Sequence, residues 1–187
     1  RWQLADTPFP ATTRPIGVMR IVGVVTGPSK PEAYYVSVVD GLTGKPSATV
    51  KPDAAGNFTL YLAGGKRHLL FIDPAEDNGG FFMKPYDLRT GNVQPREVMR
   101  AEMSATGPAT AIDCSVVSIT DGRPDAPSLA LLSRVMRMMR NNQGLSFELA
   151  AGPDAAADST GPGISVDEAA SSIIKFLKDR GVPNTVT

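Results

Sequence analysis

The chain has 187 residues, enough for one large domain or for a domain of roughly 100 residues with a smaller unit attached. Hydrophobic residues make up 42% of it, which supplies a core and argues against wholesale disorder. Basic and acidic residues number 19 each, so no nucleic-acid partner recruited by a basic surplus is expected.

Three features of the sequence bear on where the protein is located. No apolar run approaches the roughly 18–20 residues of a membrane span, so no such span is expected. The one cysteine, Cys114, excludes an internal disulfide and a cysteine-rich metal site. The chain begins with Arg1 rather than Met, which suggests a processed N-terminus such as signal-peptide removal leaves. We therefore expect an extracellular or cell-surface protein.

Residues 1–19 are predicted to form an extended arm. They hold three prolines and show no periodicity, which excludes a helix or a central strand. One interpretation is a ragged terminus, or an arm lying across its own domain. The other is an arm that docks on a neighbouring subunit through Trp2 and Phe9, because aromatic anchors are common in interfaces.

Residues 20–121 show β signals throughout. Apolar and polar side chains alternate with the period of two that is typical of strands, and Gly, Pro and Asp mark the turns. Short strands at this spacing indicate an antiparallel β-sandwich. The predicted strands are Ile21–Thr26, Tyr34–Val39, Asn57–Leu62, His68–Ile72, Phe81–Met83, Arg96–Met103 and Ile112–Thr120.

Residues 122–187 are predicted to form a helical C-terminal part. Pro127 is suited to the first turn of a helix whose apolar residues recur every three or four positions, and Gly144 would end it. The segment Leu145–Leu149 alternates, and is predicted to be a strand that returns to the sheet.

A linker and a second helix complete the chain. Residues 150–163 are rich in Ala, Gly, Pro and Asp, and indicate a linker or a loop. Ser165 and Glu168 have the spacing of a capping box, which predicts a helix start. Gly181 and Pro183 predict the end of this helix.

The β region carries a series of motifs in a fixed order. They are Val22-Gly23-Val24-Val25, Leu42-Thr43-Gly44-Lys45-Pro46, Asp53-x-x-Gly56-x-Phe58-x-Leu60, and Gly65 before a strand leading to Lys84-Pro85-Tyr86. Over residues 20–103, this order resembles the carboxypeptidase-regulatory-like and Cna-B-like domains. The resemblance implies a transthyretin-like β-sandwich that serves as a structural, adhesive or carbohydrate-contacting module rather than an enzyme. The isopeptide triad of Cna-B-type domains is not recognisable here.

One loop is rich in oxygen ligands. Asp73, Glu76, Asp77 and Asn78 lie within residues 73–80, and such a cluster is suited to calcium. The EF-hand spacing is absent, so a solvated loop is the favoured interpretation. Calcium is the one cofactor that the sequence suggests.

The first C-terminal helix has a basic and methionine-rich surface. Arg134, Arg137 and Arg140 recur every three residues, and form either a solvated flank or a grip on phosphate, an acidic glycan or an acidic partner. Met138 and its neighbours are either pliable core filler or part of a recognition surface. A helix apolar on two sides must bury both, against the sheet and against the second helix or another chain.

No catalytic grouping is apparent in the sequence. His68 is the only histidine, and we interpret it as a strand residue with a polar neighbour. Cys114 follows Asp113, whose charge opposes thiolate formation. Nucleophile-elbow, phosphate-loop and dinucleotide motifs are absent from the sequence.

We therefore predict a mainly-β protein, an antiparallel Ig- or transthyretin-like sandwich with a C-terminal part containing two α-helices. Its expected function is that of a non-enzymatic structural or adhesive subunit, contacting other subunits or copies of itself through its arm and helices. The alternative is a module that binds carbohydrate or a cell-envelope polymer by aromatic stacking, with Tyr35 and Tyr61 on one face if their strands pair. The aromatic residues considered for that role are Tyr34, Tyr35, Tyr61, Phe81, Phe82 and Tyr86.

Overall fold

The computed structural model describes residues 17–76, 80–89, 96–105, 117–120, 123–149, 166–183 and 186. The strands of this part are β1 (Val18–Thr26), β2 (Tyr34–Asp40), β3 (Pro46–Val50), β4 (Asn57–Ala63), β5 (Arg67–Pro74), β6 (Phe82–Asp87), β7 (Arg96–Glu102), β8 (Ile119–Thr120) and β9 (Arg123–Pro124). The helices are α1 (Ala126–Asn141) and α2 (Val166–Asp179), with a short 3-10 turn at Pro31–Ala33. Within the described residues, neither helix could span a membrane.

Two sheets form the body of the fold. One has three strands in the order β4-β1-β7, and the other has four in the order β3-β2-β5-β6. The four-stranded sheet is antiparallel, whereas β1 pairs antiparallel with β4 and parallel with β7. The predicted mainly-β class with two C-terminal helices is confirmed. The parallel pair is an addition that the alternation pattern does not indicate.

Alternation along the strands builds the core between the two sheets. In β1, Met19, Ile21 and Val25 are buried, while Arg20 and the other intervening side chains point the opposite way. Successive strand residues face opposite sides, so one set fills the interior and the other faces outward. The buried set comprises Met19, Ile21, Val25, Tyr34, Val36, Val38, Phe58, Leu60, Leu62, Leu70, Ile72, Tyr86, Leu88, Met99, Ala101 and Met103.

The two helices add a third layer on the outer side of the four-stranded sheet. Val39, Leu69 and Phe71 from β2 and β5 share a second buried cluster with Leu131 of α1 and Ile173 of α2. Because β5 is covered on both faces, the whole run from residue 68 to 74 is buried, and its sequence is nearly continuously apolar. The layer order is therefore three-stranded sheet, four-stranded sheet, helices.

The turn before β4 explains one of the sequence motifs. The carboxylate of Asp53 accepts hydrogen bonds from the backbone N–H of Ala55 at 3.0 Å and of Asn57 at 2.8 Å. Gly56 has a φ of +85°, the left-handed region that favours glycine. Hydrogen bonds from the side chain and then the backbone of Asn57 lower the pKa of Asp53. The Asp-x-x-Gly motif therefore forms a turn, in which the aspartate carboxylate accepts hydrogen bonds from backbone N–H groups of the turn.

The start of α1 and the end of α2 carry the signals that the sequence indicates, whereas α1 ends three residues before the predicted stop at Gly144. The N-cap residue of α1 is Asp125, whose carboxylate accepts from the N–H of Ser128 at 2.9 Å, and Pro127 lies in the first turn. After α2, Gly181 takes a φ of +70°. Ser165, the first residue of the predicted capping box, lies outside the described residues.

Several predicted boundaries are corrected. Asp73 belongs to β5 rather than to a loop, and residues Pro46–Val50 form a strand that was not predicted. In the described part, Leu145–Leu149 contributes one isolated bridge, between Phe147 and Val186, and joins neither sandwich sheet. Residues 112–116 of the strand predicted at 112–120 lie outside the described residues. Of the described residues in this range, Ile119–Thr120 forms a strand.

Candidate interaction surface

Arg134 lies between α1 and the four-stranded sheet. Its Nε donates to both carboxylate oxygens of Asp73 at 3.0 Å, and one Nη donates to Ser37 at 3.2 Å. The guanidinium carbon is 3.7 Å from the centroid of the Phe71 ring, a cation–π contact. Only 17% of the Arg134 side chain is exposed. The guanidinium therefore fastens α1 to its own sheet, and it does not present the partner-contacting group that the sequence suggested.

The other predicted contact residues on α1 are also engaged within the chain. Arg137 adds a second ion pair to Asp73 at 2.8 Å. Arg140 donates to the backbone carbonyl of Arg180 at 2.6 Å, which ties the end of α1 to the end of α2. The side chain of Met138 is buried, so it does not form the exposed recognition surface considered for it.

Of the four predicted calcium residues, Asp73 and Glu76 lie in the described part of the chain. The carboxylate of Asp73 is held by two arginines, Glu76 is exposed, and Asp77 and Asn78 lie outside the described residues. No group of three His, Cys, Asp or Glu side chains suited to a metal occurs in the ranges that the structure describes.

The remaining single candidates are placed as follows. Trp2, Phe9 and Cys114 lie outside the described residues. His68 lies in β5 and is buried, with its Nε2 donating to the carbonyl of Ala63 at 2.8 Å. Its Nδ1 is buried and has no partner in the described part of the chain. This hydrogen bond agrees with the interpretation of His68 as a structural strand residue.

The aromatic residues considered for sugar stacking do not share a surface. Tyr34 and Tyr86 are buried, and Phe82 packs against the sandwich core. Tyr35 and Tyr61 are exposed, but they lie on β2 and β4, which belong to different sheets. The condition for these two tyrosines to share a face, that their strands pair, is therefore not met. Phe81 packs in the cluster beneath the helices, 6.3 Å from the Phe71 ring.

Two shallow clefts lie at one end of the sandwich. The first has a volume of about 170 Å³ and is lined in part by Ser29, Tyr34 and Met103. The second, of about 230 Å³, is lined in part by Lys30 and Glu76. The second cleft also includes Ser29, but among the described residues no side-chain hydrogen bond or ion pair joins Ser29, Lys30 and Glu76 into a catalytic arrangement.

The outward side of the three-stranded sheet is the surface that the helices leave uncovered. Alternation in β1, β4 and β7 turns one set of side chains away from the core, and most of this set is exposed. We call six of these residues the arginine face: Arg20, Val22, Tyr61, Arg96, Val98 and Arg100.

Strand register arranges the arginine face in rows. The first row reads Tyr61, Arg20, Arg96 across β4, β1 and β7, and Val22 and Val98 lie side by side in the next. Arg100 follows in the third row. Val98 is 71% exposed and Tyr61 is 63% exposed, so apolar area is open to solvent between charged groups.

The arginine face carries three positive charges. No hydrogen bond or ion pair joins its three arginines to another residue in the part of the chain that the structure describes. Glu97 points to the other side of β7, where it accepts from Lys84 at 2.6 Å and from Tyr86 at 3.0 Å. Burial, followed by the hydrogen bond to Glu97, raises the pKa of Tyr86. Glu102 is exposed at the far end of β7, beside Thr26.

Comparison with known proteins gives little further guidance. No family model matches the chain, and no curated protein matches it. A solved structure of a DUF3823 family protein from Parabacteroides merdae matches with 16% sequence identity and a TM-score of 0.31. The match covers 50% of this chain and 48% of that chain, so this chain spans about half the length of that structure. A likeness at this level carries no argument about function.

The arginine face was not predicted, although part of its pattern is visible in the sequence. Arg96, Val98 and Arg100 alternate along the chain, as do Arg20 and Val22. The two segments become one surface only through the parallel pairing of β1 with β7.

Proposed function

We propose that the chain is a non-enzymatic interaction subunit of a larger assembly and that it docks through the arginine face. The observation that carries the proposal is exposed apolar area, at Val98 and Tyr61, set among arginines that have no ion-pair partner among the described residues. Arginine and tyrosine are enriched at protein interfaces, and apolar area left open on a folded surface commonly marks one.

The layer order supports this choice of surface. The opposite side of the sandwich is covered by α1 and α2, whose apolar faces pack on Val39, Leu69 and Phe71. The helices therefore use their apolar residues within the chain. We retain the N-terminal arm, with Trp2 and Phe9, as a proposed second contact, and an extracellular or surface location as part of the proposal.

The carbohydrate-binding alternative has less support. A sugar-binding platform needs aromatic rings on one accessible face, and the two exposed tyrosines are on separate sheets. Lys51 lies 4.7 Å from the Tyr35 ring centroid, so that ring already has a cation–π partner.

Photo-cross-linking in cells that naturally make the protein tests the docking surface. A benzophenone amino acid at Val98, which is 71% exposed, should give an adduct with another protein upon irradiation. The same group at Leu42, 84% exposed in the β2–β3 turn, is the matched control and should give none. No adduct from position 98, or equal adducts from both positions, would count against the proposal.

A further inference from the structure

We infer that the arginine face binds an acidic protein segment, one that presents carboxylates on either side of an apolar side chain. This inference rests on the proposed function and names the chemistry of the partner at the same surface.

Charge complementarity supplies the first argument. Arg20 and Arg96 are directly opposite each other on neighbouring strands, and like charges in that position repel. In the described chain no carboxylate relieves this repulsion. A carboxylate lying between the two guanidiniums would relieve it and accept two parallel N–H donors from either one. The free surface therefore carries an unfavourable arrangement that an anionic partner removes.

The apolar row decides between a protein and an acidic polysaccharide. Val22 and Val98 lie between the first arginine row and Arg100, and Val98 is 71% exposed. Burial of this apolar area favours binding only if the partner offers an apolar group to cover it. Amino-acid side chains include such groups, whereas a uronic acid polymer presents hydroxyls and carboxylates. A second copy of the same face would oppose arginine with arginine.

The size of the patch fits one segment rather than a broad surface. Arg96 and Arg100 are four residues apart on β7, which corresponds to roughly 13 Å along the strand. Three strands span roughly 10 Å across the sheet, close to the diameter of about 10–12 Å of one helix. We therefore assign the site to a single acidic amphipathic helix or strand.

Fluorescence anisotropy with three labelled probes tests the inference. The probes are an amphipathic peptide of Glu, Ala and Leu, the same peptide with Lys in place of Glu, and polygalacturonate. The acidic peptide should bind, and the basic peptide should not. Affinity for the acidic peptide should fall at least about fivefold between 0.05 M and 0.5 M salt, because screening weakens exposed charge pairs.

Matched variants assign the binding to the face. Combining Arg20→Glu, Arg96→Glu and Arg100→Glu should abolish binding of the acidic peptide. Combining Lys30→Glu, Arg123→Glu and Lys175→Glu changes the net charge equally at exposed positions elsewhere, and should keep the affinity within about twofold. Val98→Ser should lower the affinity for the acidic peptide by about tenfold, because less apolar area is buried on binding. The affinity for polygalacturonate should not change. Single Arg→Gln variants replace the triple variant if circular dichroism shows that it is unfolded.

Each contrary outcome has a defined meaning. Failure of the acidic peptide to bind, or equal binding by both triple variants, overturns the inference. Tighter binding of polygalacturonate than of the peptide would identify a polysaccharide site instead. A dimer that dissociates on charge reversal would identify a second copy as the occupant. If position 98 still cross-links to a protein in any of these cases, the proposed function stands and only the acidic partner is rejected.

Discussion

Among single residues, two glycines have the same kind of backbone conformation but differ in the space around them. Substituting each by alanine therefore distinguishes the cost of backbone strain from the cost of a steric collision. Gly56 and Gly65 have φ values of +85° and +78°. A Cβ at Gly56 would collide with the carbonyl of Val25, whereas a Cβ at Gly65 would meet open space. We expect Gly65→Ala to lower the free energy of unfolding by about 1–2 kcal/mol and Gly56→Ala by about 3 kcal/mol or more. Urea denaturation followed by circular dichroism measures both, and equal losses would contradict this difference.

The carboxylate of Asp73 provides a second residue-scale prediction. The Asp73 side chain is 11% exposed and pairs with two arginines. Asp73→Asn removes the negative charge of this pairing and leaves both guanidiniums without their carboxylate partner. We expect a loss of about 3–5 kcal/mol in the free energy of unfolding. Asp87→Asn is the control, because Asp87 pairs with Arg67 and Arg89 at 43% exposure and should cost about 0–1 kcal/mol. Similar losses in the two variants would show that the Asp73 cluster behaves as a surface pair.

Acid stability depends in part on Asp40. Backbone N–H groups of Thr43 and then Leu42 donate to its carboxylate and hold its pKa well below the ordinary value. A lowered pKa in the folded state stabilises the fold above the unfolded value of about 3.9, and that stability is lost as the pH falls below it. Asp40→Asn should therefore destabilise the protein most near pH 6–7, with the difference shrinking below about pH 4. Urea denaturation across this range checks it, and a constant difference would contradict the assignment.

At the scale of elements, the third layer depends on α1. Leu131 is fully buried in the cluster shared by α1, α2 and the four-stranded sheet. Leu131→Ala should lower the free energy of unfolding by about 2–5 kcal/mol, since it removes packed apolar volume. Leu42→Ala, at an exposed turn, should change it by less than about 0.5 kcal/mol. A small effect of Leu131→Ala, measured by chemical denaturation, would mean that α1 is not packed on the sheet.

The sequence predicts helices and strands best where apolar residues recur with the period of a helix or a strand. β1, β4 and α1 follow their apolar periods closely, because one face of each is buried. β3 was missed, since its side chains are half-buried or exposed and it begins with a proline, as an edge strand tolerates. Asp73 was assigned to a loop because nothing local shows that arginines 61 and 64 residues further along the chain neutralise it.

At the scale of the whole molecule, the order of layers is the part that local patterns do not determine. The run His68–Ile72 does signal a strand covered on both faces, because polar residues are nearly missing from it. Alternation in β1 shows that one side is buried, but not that the other side stays open. The arginine face depends on the pairing of β1 with β7, which brings together segments far apart in the chain.

An NMR titration of the isotopically labelled protein with the acidic amphipathic peptide tests whether the arginine face is the docking surface. We expect amide shift changes confined to β1, β4 and β7, centred on Val22 and Val98, where the arginine rows flank the apolar row. Shift changes centred on α1 and α2, or on the clefts beside Ser29, would contradict it.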